Sequence, residues 1–302
     1  MRIIKEKITW YHLSSATSEE LEFIKSELKM PEPVMQELQS PSSRQKMESY
    51  PGLLYVIVKF PIYEKKKKTC RAVEIDFIIT DSAIATITYE QIQPLEELFT
   101  QCEQLEGLRQ KTFGNTTAEL AEAIFSHVFT YGMRELTHID KSINEISEQL
   151  YQGVEKSMIP LIALVKRDVL DFRRILKPTE GVLHDLHDVS KALYGDEKLF
   201  TFNNIIGVYE DIWDVVENQK DTIESLESTN QALLSSKINE VMKILSIIAF
   251  LLAPFTIVGS MFQMNLQFTP IAGMPGDWWI VMAIIAACCI GLFIYFKKKK
   301  WI

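Results

Sequence analysis

The sequence predicts an α+β membrane protein, in which an N-terminal α/β domain is followed by a long helix and two membrane-spanning helices. Three observations predict this fold class. Runs of β-branched and apolar residues lie in the first third of the chain, helical periodicity dominates from Ala118 onward, and two long uncharged runs lie near the C-terminus. An acidic soluble part therefore precedes a membrane part.

Charge divides the chain at Glu240. Residues 1–240 contain 27 Lys and Arg against 39 Asp and Glu, whereas residues 241–302 contain five lysines and one acid. An acidic bulk argues against a nucleic-acid-binding protein, which would neutralise phosphates with clustered basic side chains. The charged N-terminus leads into no long apolar core, so we expect no secretory signal and a cytosolic N-terminal part.

Strands and helices are both predicted in the N-terminal domain. The β-branched runs predict strands at residues 52–63, 72–80 and 83–89, with a lysine-rich hairpin turn at 64–69 between the first two. Apolar residues at helical spacing predict helices at residues 18–28, 34–38 and 95–104. An α/β domain therefore precedes an all-helical part.

The remaining soluble part is predicted to be helical over residues 118–151, 155–176 and 182–194. A last helix begins near Asn204 and meets no breaker until Pro254. Residues 205–262 would form a rod about 87 Å long at about 1.5 Å per residue, which is far longer than a compact domain needs. We expect this helix to connect the soluble body to the membrane.

Two uncharged runs, residues 244–264 and 279–296, predict two membrane-spanning helices. The first would reach about 31 Å, enough to cross a hydrocarbon core of roughly 30 Å. Lysines lie before the first helix, at Lys243, and after the second, at residues 297–300, whereas residues 265–278 between the helices contain no Lys or Arg. The positive-inside rule therefore places both termini in the cytosol. One pair of helices cannot enclose a water path, so transport would require several copies around an axis.

Acidic residues form a stripe on the lower part of the long helix. They recur at steps of three and four and thus share one face: Glu210, Asp214, Glu217, Asp221 and Glu224. In this stretch of the sequence only Lys220 lies among them as a cation. Like charges at this spacing destabilise a helix unless a partner or bound cations offset them, so the stripe is either a solvated face or a cation-attracting one.

A polar face runs along the upper part of the same helix. Its members are polar, small or thioether residues: Asn239, Met242, Ser246, Ala249, Ala253, Thr256, Ser260 and Gln263. Small residues also allow transmembrane helices to pack closely, which is the alternative interpretation. Packing alone would not favour amides at both ends, because amides without partners in hydrocarbon cost several kcal/mol. We therefore expect a water-lined axial face, with Met242 and the neighbouring Leu245 as an apolar constriction near the inner end that closes by dewetting.

Four motifs identify a family resemblance. The chain enters the first span as Asn239-Glu-Val-Met-Lys-Ile-Leu245, carries Pro254-Phe-Thr256 within it, reaches Gln263-Met264-Asn265 at its outer end, and finishes in a lysine-rich tail after Tyr295. In these motifs the sequence resembles the CorA family of magnesium transporters. The resemblance is close from about Asn204 to the C-terminus and weaker through the rest.

The resemblance implies a homopentamer with a cytosolic α/β/α funnel domain, a stalk helix that continues into the pore-lining span, and an outer helix behind it. The implied divisions are an α/β domain at 1–115, a helical part of the funnel at 116–203, the stalk at 204–243, membrane helices at 244–264 and 279–296, an outer loop at 265–278 and a basic tail at 297–302. Asn265, with Met264 and Gln263, would select a hydrated ion at the outer mouth, and Asp277 would attract cations there.

Two departures from the family pattern affect the expected sites. The family signature is Gly-Met-Asn, and five glutamines at Gln263 would crowd a mouth that normally meets a hydrated ion. Regulatory magnesium in the family is held by paired carboxylates, one of which corresponds to Asn204 here, with Glu64 the nearest candidate for the other. A neutral amide weakens binding of a hard cation, so we expect weaker or displaced inhibition, with Asp214, Glu217 and Asp221 as alternative ligands.

These observations predict channel-like uptake of Mg²⁺ across the cytoplasmic membrane, driven by the membrane potential. The expected partners are other copies of the chain, the lipid bilayer and divalent cations. No GxxxxGK phosphate loop is present, so we expect neither a nucleotide nor another organic cofactor, and no enzymatic activity. Two alternatives stay open, which are transport of another divalent cation such as zinc, cobalt or nickel, and a non-conducting cation sensor.

Overall fold

The computed structural model describes residues 1–64, 69–152, 155–194, 199–263 and 275–299. The chain divides into two compact units, Met1–Glu227 and Ser228–Ile302. The helices in chain order are α1 Ser18–Leu28, α2 Glu32–Glu37, α3 Gln93–Gln104, α4 Glu106–Phe113, α5 Thr117–Tyr151, α6 Glu155–Tyr194, α7 Leu199–Gln263 and α8 Asp277–Lys298. Helix α7 crosses the boundary between the units, so the predicted long helix is confirmed.

A six-stranded sheet organises the first unit. Its strands are β1 Arg2–Lys5, β2 Thr9–Ser14, β3 Lys46–Tyr50, β4 Leu53–Glu64, β5 Thr69–Ile79 and β6 Ala83–Thr88, in the spatial order β1-β2-β6-β5-β4-β3. Strands β2 and β6 are parallel and the other pairs are antiparallel. The three predicted strands correspond to β4, β5 and β6, while β1, β2 and β3 were not predicted.

Each face of the sheet is covered by a hydrophobic core, as an α/β/α arrangement requires. On one face, Tyr55, Ile57 and Ile87 pack with buried residues of α1 and α2. On the other face, Trp10 and Phe77 pack with α3, α4, α5, α6 and the first part of α7. Strands alternate their side chains between the two faces, so the nearly unbroken burial of β4, β5 and β6 follows from this double cover.

Helix α6 is continuous where two helices were predicted. Pro160 and Pro178 both lie inside it. A proline lacks the N–H that would bond the carbonyl four residues earlier, and this missing bond is the physical reason to predict a break near Pro178. In the same turn, the carbonyl of Ile175 accepts a hydrogen bond from the side chain of Gln45 at 2.7 Å. Because Gln45 directly precedes β3, this bond attaches the helix to the edge of the sheet.

Gly132 marks a close approach of α5 to the sheet. A Cβ at this position would lie 2.9 Å from the Phe60 ring, and both Phe60 and Phe172 beside it are buried. Overpacking a core costs about 1–3 kcal/mol, while Ala is favoured over Gly in a helix by about 1 kcal/mol. We therefore expect Gly132→Ala to lower the free energy of unfolding by about 1 kcal/mol.

Denaturant unfolding of the detergent-solubilised chain measures this effect. Gly181→Ala is the matched control, because Gly181 lies in α6 and a Cβ added there would meet no atom within 4 Å. Alanine lowers the backbone entropy of the unfolded chain, and this effect alone should stabilise that variant by about 0.5–1 kcal/mol. Equal stabilisation of both variants would show that Phe60 moves aside and that the contact is not tight.

The second unit contains the apolar part of α7 and the whole of α8. Both are long and apolar enough to cross a membrane, and only 6% and 11% of their most apolar windows are buried. A core helix of a soluble protein would be mostly buried, so their exposed apolar surfaces fit a lipid environment. Ile247 of α7 and Ile285 of α8 are buried, and the rings of Phe250 and Phe296 lie 6.0 Å apart, so the two helices pack on each other.

Candidate functional site

The predicted polar face is part of one continuous helix, α7. The eight members of the face lie within its described residues, and six of them are exposed: Asn239, Met242, Ala249, Thr256, Ser260 and Gln263. Ser246 and Ala253 are half-buried. The face that α7 turns to α8 is a different one, since Ile247 is buried and the Leu251 carbonyl accepts from the Cys289 thiol at 3.7 Å.

The three hydroxyls of the face bond within their own helix. Ser246 donates to the Met242 carbonyl at 2.8 Å, Thr256 to Ala253 at 3.0 Å and Ser260 to Ile257 at 2.9 Å. Each hydroxyl has one proton and two acceptor lone pairs. The protons are thereby committed to the helix, and the oxygens remain available to accept hydrogen bonds.

The apolar pair at the inner part of the face is also exposed. Met242 is 54% exposed and Leu245 is 57% exposed, so packing within the chain covers less than half of either residue. Large apolar side chains that project from a helix need a partner or lipid to cover them. Both remain candidates for the apolar constriction.

The outer mouth is described only in part. Gln263 is the last residue of α7 and is exposed, while Met264 and Asn265 lie outside the described residues. Asp277 is the first residue of α8, and its carboxylate accepts a hydrogen bond from the Trp278 N–H at 2.7 Å. An acid at a helix N-terminus interacts favourably with the helix dipole, so Asp277 also has a structural role there.

The acidic stripe has a cationic partner that the sequence pattern did not reveal. Arg173 of α6 donates through Nε to Glu217, and its guanidinium lies 5.4 Å from the centre of the Trp213 ring. Lys220 lies 3.1 Å from Asp221 and 3.9 Å from Glu217. The centre of the stripe is therefore neutralised, whereas Glu210 and Asp214 are exposed.

The two predicted regulatory residues have separate partners within the chain. Asn204 donates through Nδ2 to Glu122 Oε1 at 2.9 Å, and the Glu64 carboxylate lies 3.7 Å from Arg71 Nε. Within the described ranges no group of three or more His, Cys, Asp or Glu side chains is placed to hold a metal ion. Glu122 was not predicted, because its contact with Asn204 joins residues 82 positions apart. Within one chain, the carboxylate that contacts Asn204 is therefore that of Glu122.

Comparisons with known proteins agree with the resemblance. The profile of the family described as CorA-like Mg²⁺ transporter protein matches residues 5–298. The cobalt/magnesium transport protein CorA of Thermotoga maritima is 23% identical over 270 residues, which cover 89% of this chain and 76% of that protein.

Solved structures share the fold over the whole chain. The complete CorA magnesium transporter of Methanocaldococcus jannaschii matches with a TM-score of 0.80 at 18% identity, covering 100% of this chain and 94% of that one. The full-length CmaX protein matches with a TM-score of 0.71 at 14% identity, covering 100% and 91%. With a family profile that spans nearly every residue, the chain belongs to the CorA-like Mg²⁺ transporters.

Proposed function

We propose that several copies of the chain, arranged as a homopentamer, form a pore through which Mg²⁺ enters the cytosol across the cytoplasmic membrane. The observation that carries this proposal is the exposed polar face of α7, which is not the face that contacts α8. Around an axis, five such faces would line a narrow path with Asn239 at its inner end and Gln263 at its outer end. Both termini and the first 243 residues would then lie in the cytosol.

Mg²⁺ would pass this path with much of its water shell in place. The ion dehydrates reluctantly, so a pore that removed every water would be slow. The waters around a cation direct protons outward, and amide, hydroxyl and backbone oxygens accept those protons. Asn265 and Gln263 would meet the ion first, with Thr256 and Ser260 farther along the same face.

The membrane potential is sufficient to drive inward flow. It contributes roughly 2.3 kcal/mol per charge per 100 mV, so roughly 4.6 kcal/mol for a divalent ion. Closure would occur at Met242 and Leu245, where an apolar ring that loses its water blocks ions. The exposed acids Glu210 and Asp214 would concentrate cations along the lower part of the helix.

Regulation by cytosolic Mg²⁺ would be weak or displaced. Asn204 presents a neutral amide and already donates to Glu122 within the chain. A hard divalent cation prefers carboxylate oxygens, so a site at Asn204 and Glu64 would bind less tightly than one built from two acids. Asp214, Glu217 and Asp221 are the alternative ligands, although Arg173 competes for Glu217.

Uptake into liposomes tests the function directly. Vesicles containing the purified chain and an Mg²⁺-sensitive dye receive an inside-negative potassium diffusion potential, and vesicles without a potential and without protein serve as controls. Voltage-dependent dye signal supports the proposal, and a signal equal to that of protein-free vesicles contradicts it. Raising Mg²⁺ inside the vesicles measures inhibition, which we expect to be weak.

Another divalent cation is the second candidate, and Gln263 is the observation that favours it. Five glutamine side chains at the mouth change its width and its donor pattern, which together decide the ion. Replacing Mg²⁺ outside the vesicles with Co²⁺, Ni²⁺ or Zn²⁺ compares the ions in the same assay. A faster rate for one of these ions would assign the chain to that ion instead.

Gln263→Gly is expected to raise the rate of Mg²⁺ uptake severalfold. The change removes an exposed side chain from each copy at the end of α7 and restores the glycine of the family signature. Initial rates in the liposome assay measure the effect, with Gln231→Gly as a control, since Gln231 is an exposed glutamine of α7 outside the predicted polar face. An unchanged rate for Gln263→Gly would show that the glutamine does not restrict the mouth.

A further inference from the structure

A basic cavity of about 500 Å³ lies in the Met1–Glu227 unit, between the sheet and α6. Four cationic side chains from four different segments line it: Arg44 from the loop before β3, Lys59 from β4, Arg71 from β5 and Arg174 from α6. Among its lining residues in the described part of the chain there is no carboxylate. This concentration of positive charge is contrary to the net charge of −8 of the whole chain.

Carboxylates outside the lining hold three of these cations in place. Arg71 donates to Glu90 at 2.8 Å, and Arg174 lies 2.9 Å from Asp171. Lys59 lies 3.4 Å from Glu74. A guanidinium group carries five N–H donors, so Arg174 keeps donors free after pairing with Asp171, and Arg71 keeps donors free after pairing with Glu90 and Glu64. The arginines are therefore held in position and still have N–H groups that can bind a ligand.

The loop that carries Arg44 is fixed to α6 by Gln45. Its Nε2 donates to the Ile175 carbonyl at 2.7 Å, and its Oε1 accepts from the Thr179 hydroxyl at 2.8 Å. Arg44 itself is exposed and has no carboxylate within ion-pair distance in the described part of the chain. One guanidinium at the cavity thus has its full charge available.

We propose that this cavity binds a small phosphate-bearing anion. Its volume falls in the range of about 300–1,000 Å³ found for small-molecule sites. Planar guanidinium groups match phosphate oxygens with two parallel hydrogen bonds, and a lysine adds a point charge. The bound anion would join the Arg44 loop, the β4–β5 hairpin and α6. This binding is separate from ion transport and is measured without it.

Calorimetric titration of the detergent-purified full chain with inorganic phosphate and with pyrophosphate tests the proposal, in Mg²⁺-free buffer of low ionic strength. We expect saturable binding, tighter for pyrophosphate, together with a rise in the apparent Tm, because a ligand that binds only the folded state stabilises it. The double variant Arg44→Gln/Arg174→Gln should bind at least tenfold more weakly. Arg134→Gln is the matched control, since Arg134 is an exposed arginine of α5 outside the cavity.

The ligand-free Tm of each variant establishes that it is folded, and both arginines of the double variant are exposed enough to be replaced. A second variant, Arg44→Lys/Arg174→Lys, keeps the charge and removes the planar groups, so we expect an affinity between those of the wild type and the Gln variant. Absence of binding by the wild type overturns the proposal. So does an affinity in the double Gln variant equal to that of Arg134→Gln.

Discussion

Asn265→Ala should reduce voltage-driven Mg²⁺ uptake by at least tenfold. The amide of Asn265 is the polar group of the family signature that this chain retains at the outer end of the first span. Removing a hydrogen-bonding partner costs about 1–3 kcal/mol, and about 1.4 kcal/mol in a barrier is a factor of ten in rate. In the proposed pore the change would be present in every copy around the axis, so its effects would accumulate at one point of the path.

Initial uptake rates at a fixed inside-negative potential measure this change. Asn218→Ala serves as the control, because Asn218 is an exposed asparagine of α7 that lies outside the proposed pore face. We expect the control to transport like the wild type. Wild-type uptake by Asn265→Ala would remove Asn265 from the ion path and leave selection to Gln263 and the hydroxyls of the face.

Asp76→Asn should make the protein markedly more resistant to unfolding at alkaline pH. Asp76 lies on β5 with no exposed surface, and the Tyr89 hydroxyl donates to its Oδ2 at 2.9 Å. Burial, together with the nearby charges of Glu74 and Glu37, raises the pKa of Asp76 from 3.8 to about 8, although the hydrogen bond from Tyr89 opposes the rise. The folded chain therefore keeps a proton that the unfolded chain loses.

The sign of the pH dependence follows from this raised pKa. Between pH 3.8 and about 8 the folded state binds more protons than the unfolded state, so stability falls as pH rises through this window and levels off above it. A shift of this size corresponds to at most about 6 kcal/mol. Asparagine does not titrate, so Asp76→Asn does not lose stability in this way as pH rises.

Apparent Tm values of the detergent-solubilised chain at pH 6 and pH 9 measure the difference. We expect the Tm of the wild type to fall by about 10 °C more than that of Asp76→Asn. Other titrating groups are common to both proteins and cancel in the comparison. Asp81→Asn, at the exposed turn between β5 and β6, should behave like the wild type. Parallel pH profiles for Asp76→Asn and the wild type would contradict the assignment.

Most segments with a clear period were predictable from the sequence, including the short α2 and β6, whereas β1 and β3 were not. Helix α1 begins and ends at the predicted residues, and α5 begins one residue earlier than predicted, because each has a capping threonine and a clear apolar stripe. Strand β1 has four residues and β3 reads Lys-Met-Glu-Ser-Tyr, so neither contains enough alternation to be recognised. Hydrogen bonding of β1 to β2 and of β3 to β4 stabilises these two strands, although their own sequences show no clear strand pattern.

The same distinction applies to the candidate site. The polar face of α7 follows from helix geometry alone, so its members could be identified from their spacing. The pairs Arg173–Glu217 and Asn204–Glu122 join different helices across 44 and 82 residues, and no local pattern encodes them. Spacing therefore predicts which residues share a face, and only the tertiary fold determines which charges on that face are already neutralised.

The internal hydrogen bonds of Ser246, Thr256 and Ser260 make these three positions of the α7 face favour cations over anions. With each proton directed to a carbonyl of its own helix, these side chains offer only electron pairs. An anion needs hydrogen-bond donors to replace its hydration water, and these three hydroxyls would supply none. In the proposed pore, these three side chains would therefore disfavour chloride or phosphate without any acidic residue within the membrane, and their effect would not depend on pH while the helix is folded.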